Sequence, residues 1–426
     1  MSRVTFRNNV VFNSIIIFIF WLIFIPGFYS SDSFGVLDMV RSDDLNSSHT
    51  ASYALYIKVF SFGAKVPDLV TLINALTFVF AITAFAWELP FNEKSKFVAS
   101  SILSLTPLVW VMANTLWHDI PFTTGLLLTL VGLSKASKKE KFLLWLIFGA
   151  ILLSFRPNGF PTLLVFLALA LIFVRDKAIV KILALATFIT LFAGVMSSIT
   201  IREPLVVEHF AQEWMRNDIS CAVATNKSKT VTDALEEVGS SAEAWASLEA
   251  CTFLNKAPIL NDDSFIESYE YIPAIWFKLL KSDPVFIMST HSQRNAYLLP
   301  IPIQGLPSAP FLHTNIEFDS KEISWRLPKV AEQVRKVARV WNYFGEIFAY
   351  AGLWYLILLV VSRFRKSQIF KLSLLAFTAL LGILFVVAPI PDARYALPVL
   401  IVGQLSLLTF VFEKFSVTKI GKRLFR

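Results

Sequence analysis

Ten long apolar runs leave this chain few folds to choose from. They lie at about 10–28, 67–89, 98–114, 120–134, 141–155, 159–174, 180–200, 341–361, 370–388 and 395–412. A helix needs roughly 20 apolar residues to cross a bilayer core, so the runs near 15 must borrow from their flanks. In lipid every backbone N–H and C=O must be satisfied internally, and a run of this length does so as a helix. The expected fold class is therefore an all-α polytopic membrane protein with about ten transmembrane helices. Composition agrees: of 426 residues, 55% are hydrophobic and 16% charged, where a soluble domain carries about 25% charged. No small-residue cleavage site follows the first run, so it reads as a membrane helix and not as a removed signal.

The net charge of +8 would suggest a nucleic-acid partner in a soluble protein. Here the basic residues cluster in short loops between apolar runs, and membrane orientation explains them without nucleic acid. Arg3 and Arg7 precede the first run, and Lys94 and Lys96 follow the second. Lys135, Lys138, Lys139 and Lys141 follow the fourth, and Arg175, Lys177 and Lys181 the sixth. Arg363, Arg365, Lys366 and Lys371 follow the eighth, and Lys414, Lys419, Lys422, Arg423 and Arg426 fill the tail. With ten spans and a cytoplasmic N-terminus, all of these fall in the cytoplasm, as does the C-terminus.

Two large loops then fall on the non-cytoplasmic side and divide the chain into a membrane module at 1–200, a loop domain at 201–340 and a second membrane module at 341–426. The first outer loop, about 29–66, contains a short apolar segment from Tyr53. It is too short to span and is expected as a juxtamembrane helix. The loop domain holds both cysteines, Cys221 and Cys251. Two cysteines in one exported loop point to a disulfide, against the alternative of two free thiols. Near the end of this loop, Ile323, Leu327, Val330, Val334, Val337 and Trp341 recur at helical spacing, with Arg326, Lys329, Arg335, Lys336 and Arg339 on the other face. This pattern is a basic amphipathic helix, either resting on anionic headgroups or forming a floor for a lipid phosphate.

Four outer turns carry candidate chemistry. The first holds Asp32, with Asp38, Asp43, Asp44 and His49 in the same loop. By itself a loop Asp is usually a solvated charge. The second is the short turn with His118 and Asp119 before a helix that has Pro121 near its start. Asp119 there fits a simple N-cap, and His118 beside it either tunes or orients a carboxylate or simply sits at the interface. The third is Arg156-Pro157-Asn158-Gly159, where Pro and Gly break the helix. The fourth places Arg394 and Tyr395 at the entrance to the last span. Arginines on this side oppose the positive-inside bias, and headgroup snorkelling is the alternative account of them. Arg294 is a weaker third cation. Two carboxylate turns and two arginine turns opening to one face suit transfer from a lipid phosphate: a base for an acceptor hydroxyl, and cations for the phosphate that leaves. Arginine pairs two phosphate oxygens with its planar fork. No Gly-rich phosphate loop and no Cys/His metal cluster is present in the sequence, so no cofactor and no metal ligand is assigned.

Pro26-Gly27, followed by Asp32-Ser33 after the first span, resembles the start of bacterial polytopic glycosyltransferases of the GT-C class. So do Leu116-Trp117-His118-Asp119-Ile120-Pro121-Phe122, Arg156-Pro157-Asn158-Gly159 and Asp392-Ala393-Arg394-Tyr395-Ala396-Leu397-Pro398. The resemblance covers most of the membrane part but not the loop at 201–340. It implies a polyprenyl-phosphate sugar donor, a surface glycan or glycolipid acceptor such as O-antigen, and a bacterial inner-membrane location with the site facing the periplasm. It implies Asp32 as general base, Asp119 as the acidic residue of the second outer loop, and Arg394 with Arg156 near the phosphate. Tyr395 and Arg294 join that phosphate group; His118, His49 and Asn158 are acceptor or orienting candidates. The expected function is inverting hexosyl transfer. The rivals are a lipid-linked glycan flippase and an O-antigen polymerase. A flippase is expected to show repeat symmetry and polar residues within its spans; the sequence shows neither, and its charges sit at outer helix ends.

Overall fold

Among the described residues the backbone is helical, with one isolated parallel bridge between Phe28 and Thr115. The computed structural model describes residues 5–42, 50–199, 213–225, 229–239, 241, 245, 271–295, 298, 325–342, 348–388 and 393–417. The N-terminal part comprises α1 (Phe6–Phe24), α2 (Ser31–Ser42), α3 (Ala51–Phe60), α4 (Pro67–Glu88), α5 (Glu93–Ser104), α6 (Pro107–Ala113), α7 (Asp119–Ser137), α8 (Leu143–Leu153), α9 (Gly159–Phe173) and α10 (Lys177–Ile199). The loop region contributes α11 (Glu213–Ala224), α12 (Lys229–Glu237), α13 (Ile272–Ser282), α14 (Pro284–Arg294) and α15 (Pro328–Asn342). The C-terminal part has α16 (Ala351–Phe364), α17 (Gln368–Val387), a 3-10 turn at Ala393–Ala396 and α18 (Leu397–Val417).

Local chemistry accounts for the helix ends. Thr5, Asn92 and Ser367 cap α1, α5 and α17 by accepting from Asn8, Ser95 and Phe370 backbone N–H groups. Pro67 opens α4, where its missing N–H costs nothing. Among the described residues six helices are long and apolar enough to cross a membrane: α1, α4, α7, α10, α17 and the stretch from Arg394 to Phe415. The run expected as one span at 98–114 is broken. α5 and α6 meet at 64° because Pro107 cannot continue the hydrogen-bond ladder. α8, α9 and α16 are apolar but shorter. The run expected at 341–361 does not start at 341. α15 extends to Asn342, and the apolar helix begins at Ala351.

α7 and α8 pack backbone to backbone, since a Cβ on Gly125 would lie 2.7 Å from the Gly149 carbonyl oxygen. Small residues allow this close approach in a membrane bundle. α1, α4 and α5 are joined by polar contacts within the bundle: Asn13 donates to Thr83 and Ser100, and Trp87 and Ser100 donate to Asn9. The spans therefore do hold buried polar residues, in contrast to the sequence expectation, and these residues bond one another across helices.

The two ends of the bundle differ in charge. At one end Lys138 and Lys135 meet Glu88 at 2.6 and 3.2 Å, and Arg365 pairs with Glu413. The opposite end gathers the four turns singled out in the sequence. Beside it, α11, α12 and α13 enclose a second small core around Trp214, Ile219, Trp245, Trp276 and Leu279. Cys221 is buried there and disulfide-bonded. Cys251 lies outside the described residues. His291 on α14 ties this unit to α17. Its Nδ1 lies 2.9 Å from the Phe385 carbonyl oxygen and its Nε2 2.7 Å from Asp218. Trp276 donates to the same Asp218 oxygen at 2.8 Å. α15 leans on α1: Arg326 N–H donates to the Ile25 carbonyl, and the Trp325 indole donates to that of Gly27. Lys329, Val330, Lys336 and Val337 are exposed, as an amphipathic helix requires. Arg335, expected on the basic face, is instead buried and stacks over Trp325 at 5.4 Å. Ile323 and the side chains of Arg339 and Trp341 lie outside the described residues.

Candidate active site

The turn after α1 is held against the turn after α6 by backbone chemistry. Phe28 N–H donates to the Asn114 carbonyl at 2.8 Å, and Leu116 N–H donates back to Phe28 at 3.1 Å. Gly27 makes this contact possible. Its φ of +125° is one L side chains rarely adopt, and a Cβ there would lie 2.7 Å from the Asn114 oxygen. Two side chains extend the seam: Ser33 donates to the Leu116 carbonyl at 2.9 Å, and the Trp117 indole to Ser30 at 2.5 Å. Asp32 sits between those serines, at the start of α2. Its position beside the second turn follows from this stitching.

A third seam brings in Arg156. At the start of α3, Thr50 and Ser52 hydroxyls donate to the Phe155 and Ser154 carbonyls, both at 2.6 Å. These carbonyls immediately precede Arg156. The 3-10 turn before α18 supplies Arg394 and Tyr395.

The four charged side chains form one alternating row. Arg156 Nη1 lies 2.5 Å from Asp119 Oδ1, and Arg394 Nε lies 4.0 Å from Asp119 Oδ2. Arg394 Nη1 then donates to Asp32 Oδ2 at 2.9 Å. The close Arg156 approach is out of line for a hydrogen bond, and neither Asp119 oxygen has a hydrogen-bond partner among the described residues. Aromatic faces hold both guanidiniums. Arg394 lies 4.4 Å from the Trp117 ring centre and Arg156 4.3 Å from that of Tyr395. Exposure is lowest in the middle and greatest at one end: the side chain of Arg156 is 7% exposed, that of Asp119 0%, that of Arg394 11% and that of Asp32 37%.

Asp119 is the first residue of α7, and its carboxylate reaches towards Arg156; the helix receives no side-chain cap from it or from His118. His118 Nε2 lies 3.8 Å from Asp119 Oδ2. Asn158, at the start of α9, is buried with its Oδ1 lacking a partner among the described residues. Arg294 ends α14, but its side chain lies outside the described residues, as do Asp43, Asp44 and His49. Asp38 is not in the row; it pairs with Arg41 at 3.1 Å on the surface of α2. Sequence reasoning missed Trp117 as the platform for Arg394. Its signal was its place directly before His118 and Asp119. Asp218 and Trp276 were missed too, because nothing near them in sequence marks a partner on α14.

No family model, curated protein or solved structure matches this chain. Its chemistry must be argued from the row itself. Two carboxylates and two guanidiniums in strict alternation, three of them buried and Asp32 open to solvent, can bind an anion and accept a proton within one site.

Proposed function

We propose that this protein is an integral-membrane glycosyltransferase that moves a hexose from a polyprenyl-phosphate donor to a glycan or glycolipid acceptor, with inversion. The observation that carries this reading is the shared Arg394. It links the most exposed carboxylate, Asp32, to the buried Asp119–Arg156 pair. A base and a phosphate clamp are thus joined through one movable fork.

The donor phosphate supplies oxygens that compete with Asp32 for Arg394, and the bidentate geometry of arginine suits them. Arg394 turns to the phosphate and leaves Asp32 to the acceptor hydroxyl. Asp32 takes the hydroxyl proton as the oxygen attacks the anomeric carbon. The new C–O bond forms as the bond between the anomeric carbon and the phosphate oxygen breaks, and the electron pair leaves on polyprenyl phosphate. Arg394 and Arg156 stabilise that charge. Asp119 keeps both arginines in place, and Tyr395 fixes Arg156 from its open face.

In this reading all ten apolar runs cross the membrane. The short helices α8, α9 and α16 do so with their flanks, and α5 with α6 does so as a bent span. The charged row faces the periplasm of a bacterial inner membrane, with both termini in the cytoplasm. A surface glycan such as O-antigen is the acceptor class.

The test uses the purified full chain in lipid vesicles with undecaprenyl phosphate carrying radiolabelled glucose, mannose or galactose, and lipopolysaccharide as acceptor. Label moving to the acceptor, with release of undecaprenyl phosphate, is the expected result. Absence of both donor binding and transfer for all three lipids overturns the proposal.

A further inference from the structure

Three tyrosines surround the first outer loop, and two of them serve the scaffold. The Tyr29 hydroxyl donates to the Pro26 carbonyl at 3.3 Å, and the Tyr56 hydroxyl to Asn74 Oδ1 at 2.8 Å. Tyr53 differs. It is 1% exposed, yet its hydroxyl has no hydrogen-bond partner among the described residues. Most buried hydroxyls are paired; those of Thr123, Thr129, Thr162, Ser373 and Ser406 also lack a partner among the described residues, and what sets Tyr53 apart is its place beside the charged row.

The Tyr53 ring meets the His118 ring edge-on, with centres 5.7 Å apart, and His118 Nε2 lies 3.8 Å from Asp119. The other side of the ring contacts Phe155 and Tyr56. α3 cannot swing Tyr53 away, because Thr50 and Ser52 fasten its first turn to the carbonyls before Arg156. Burial above all, then the neighbouring Tyr56, Asp119, Tyr29 and Asp32, holds the phenol well above its ordinary pKa. Tyr53 is therefore a neutral, rigid O–H donor beside the deep end of the charged row.

We infer that Tyr53 is a sugar-binding residue of the site, donating a hydrogen bond to a hydroxyl oxygen of the donor hexose. The inference rests on the transferase reading above. A phosphate is matched by Arg394 and Arg156; a neutral phenol is matched by a neutral hydroxyl. The donor sugar, and not the acceptor, is the partner because of depth. The side chain of Asp32 is 37% exposed and meets an acceptor arriving from solvent, whereas Tyr53 is 1% exposed and packs on His118, the neighbour of the fully buried Asp119.

Two probes separate the sugar contact from the phosphate contact: undecaprenyl phosphate alone, and undecaprenyl phosphate carrying glucose, mannose or galactose. Their affinities are measured on the full-length wild type, Tyr53→Phe and Tyr56→Phe, together with detergent melting temperatures. Tyr53→Phe should weaken the preferred sugar-lipid by about tenfold, the size of one good neutral hydrogen bond. It should leave undecaprenyl phosphate affinity and melting unchanged. Tyr56→Phe should show the reverse, a lower melting temperature with the preference for the sugar-lipid kept. Equal affinities in Tyr53→Phe and wild type, or equal losses for both lipids, overturn this inference alone; the first outcome leaves the phenol bonded to an ordered water only. A wild type that binds neither lipid overturns the transferase reading as well.

Discussion

Arg394 donates to Asp32 at 2.9 Å across 362 positions of sequence, joining the entrance of the last membrane helix to the loop after the first. The pair ties the two termini of the membrane bundle together at the one place where a carboxylate of the row is open to solvent. In the resting protein the proposed base is held by the proposed phosphate ligand. Under the proposed function, donor binding and base release are one event.

Asp32→Asn keeps an oxygen for Arg394 but cannot take a proton. Transfer should fall by at least about 100-fold, the range of general base contributions. Expression and detergent melting should stay near wild type, because Asp32 is the most exposed member of the row. Label transfer at matched protein level is the measurement, and a wild-type rate would remove Asp32 from the chemistry.

Arg394→Ala should lower transfer on the order of 100-fold, as loss of a preorganised charge contact does. Arg394→Lys keeps the charge but loses both the fork and the flat face that lies over Trp117. It should recover only part of the rate. If Arg394 merely snorkels to headgroups, Lys will substitute almost fully. Turnover and melting temperature, measured together, distinguish the two.

Asp119 and Arg156 are both buried, so removing Asp119 leaves the buried Arg156 guanidinium without its carboxylate. Asp119→Ala should destabilise the protein by about 3–5 kcal/mol. The double variant Asp119→Ala with Arg156→Met should regain most of that loss while remaining inactive. Thermal unfolding in detergent checks this. An Asp119→Ala variant as stable as wild type would show that the Arg156 guanidinium does not depend on this carboxylate for its compensation.

His291→Ala removes the contact that joins Asp218 to the Phe385 carbonyl. It should cost about 3 kcal/mol locally, since it takes one hydrogen-bonding partner from the buried Asp218 carboxylate. Hydrogen exchange should speed up in α11, α13 and α14 while α4 and α7 stay protected. Uniform exchange across the whole chain would mean that this unit is not anchored through His291.

Mass spectrometry after alkylation without reductant should find neither Cys221 nor Cys251 modified. Closing a loop of about 30 residues stabilises by roughly 3–4 kcal/mol in the chain-entropy model, so reduction should lower the melting temperature. Two freely alkylated thiols in protein from an oxidising compartment would contradict the bond.

Hydropathy by itself determined the all-helical membrane class, because a run of apolar residues in lipid has no other way to satisfy its backbone. It also located the short turns where Asp32, Asp119, Arg156 and Arg394 stand out, since a charge beside an apolar run is visible locally. The tertiary structure decided who meets whom. Nothing in the sequence around Asp119 separates an N-cap from a buried ion pair; the distinction depends on Arg156 being brought up by α3 and the Ser154–Phe155 carbonyls. The break at Pro107 and the late start of α16 at Ala351 lie inside apolar or amphipathic stretches whose average hydropathy conceals them. Tyr53, Trp117 and the Asp218–His291 contact stayed silent for a related reason. Hydropathy and helical periodicity report which face of a helix is buried, whereas a polar side chain's partner is chosen by contacts between segments far apart in the chain.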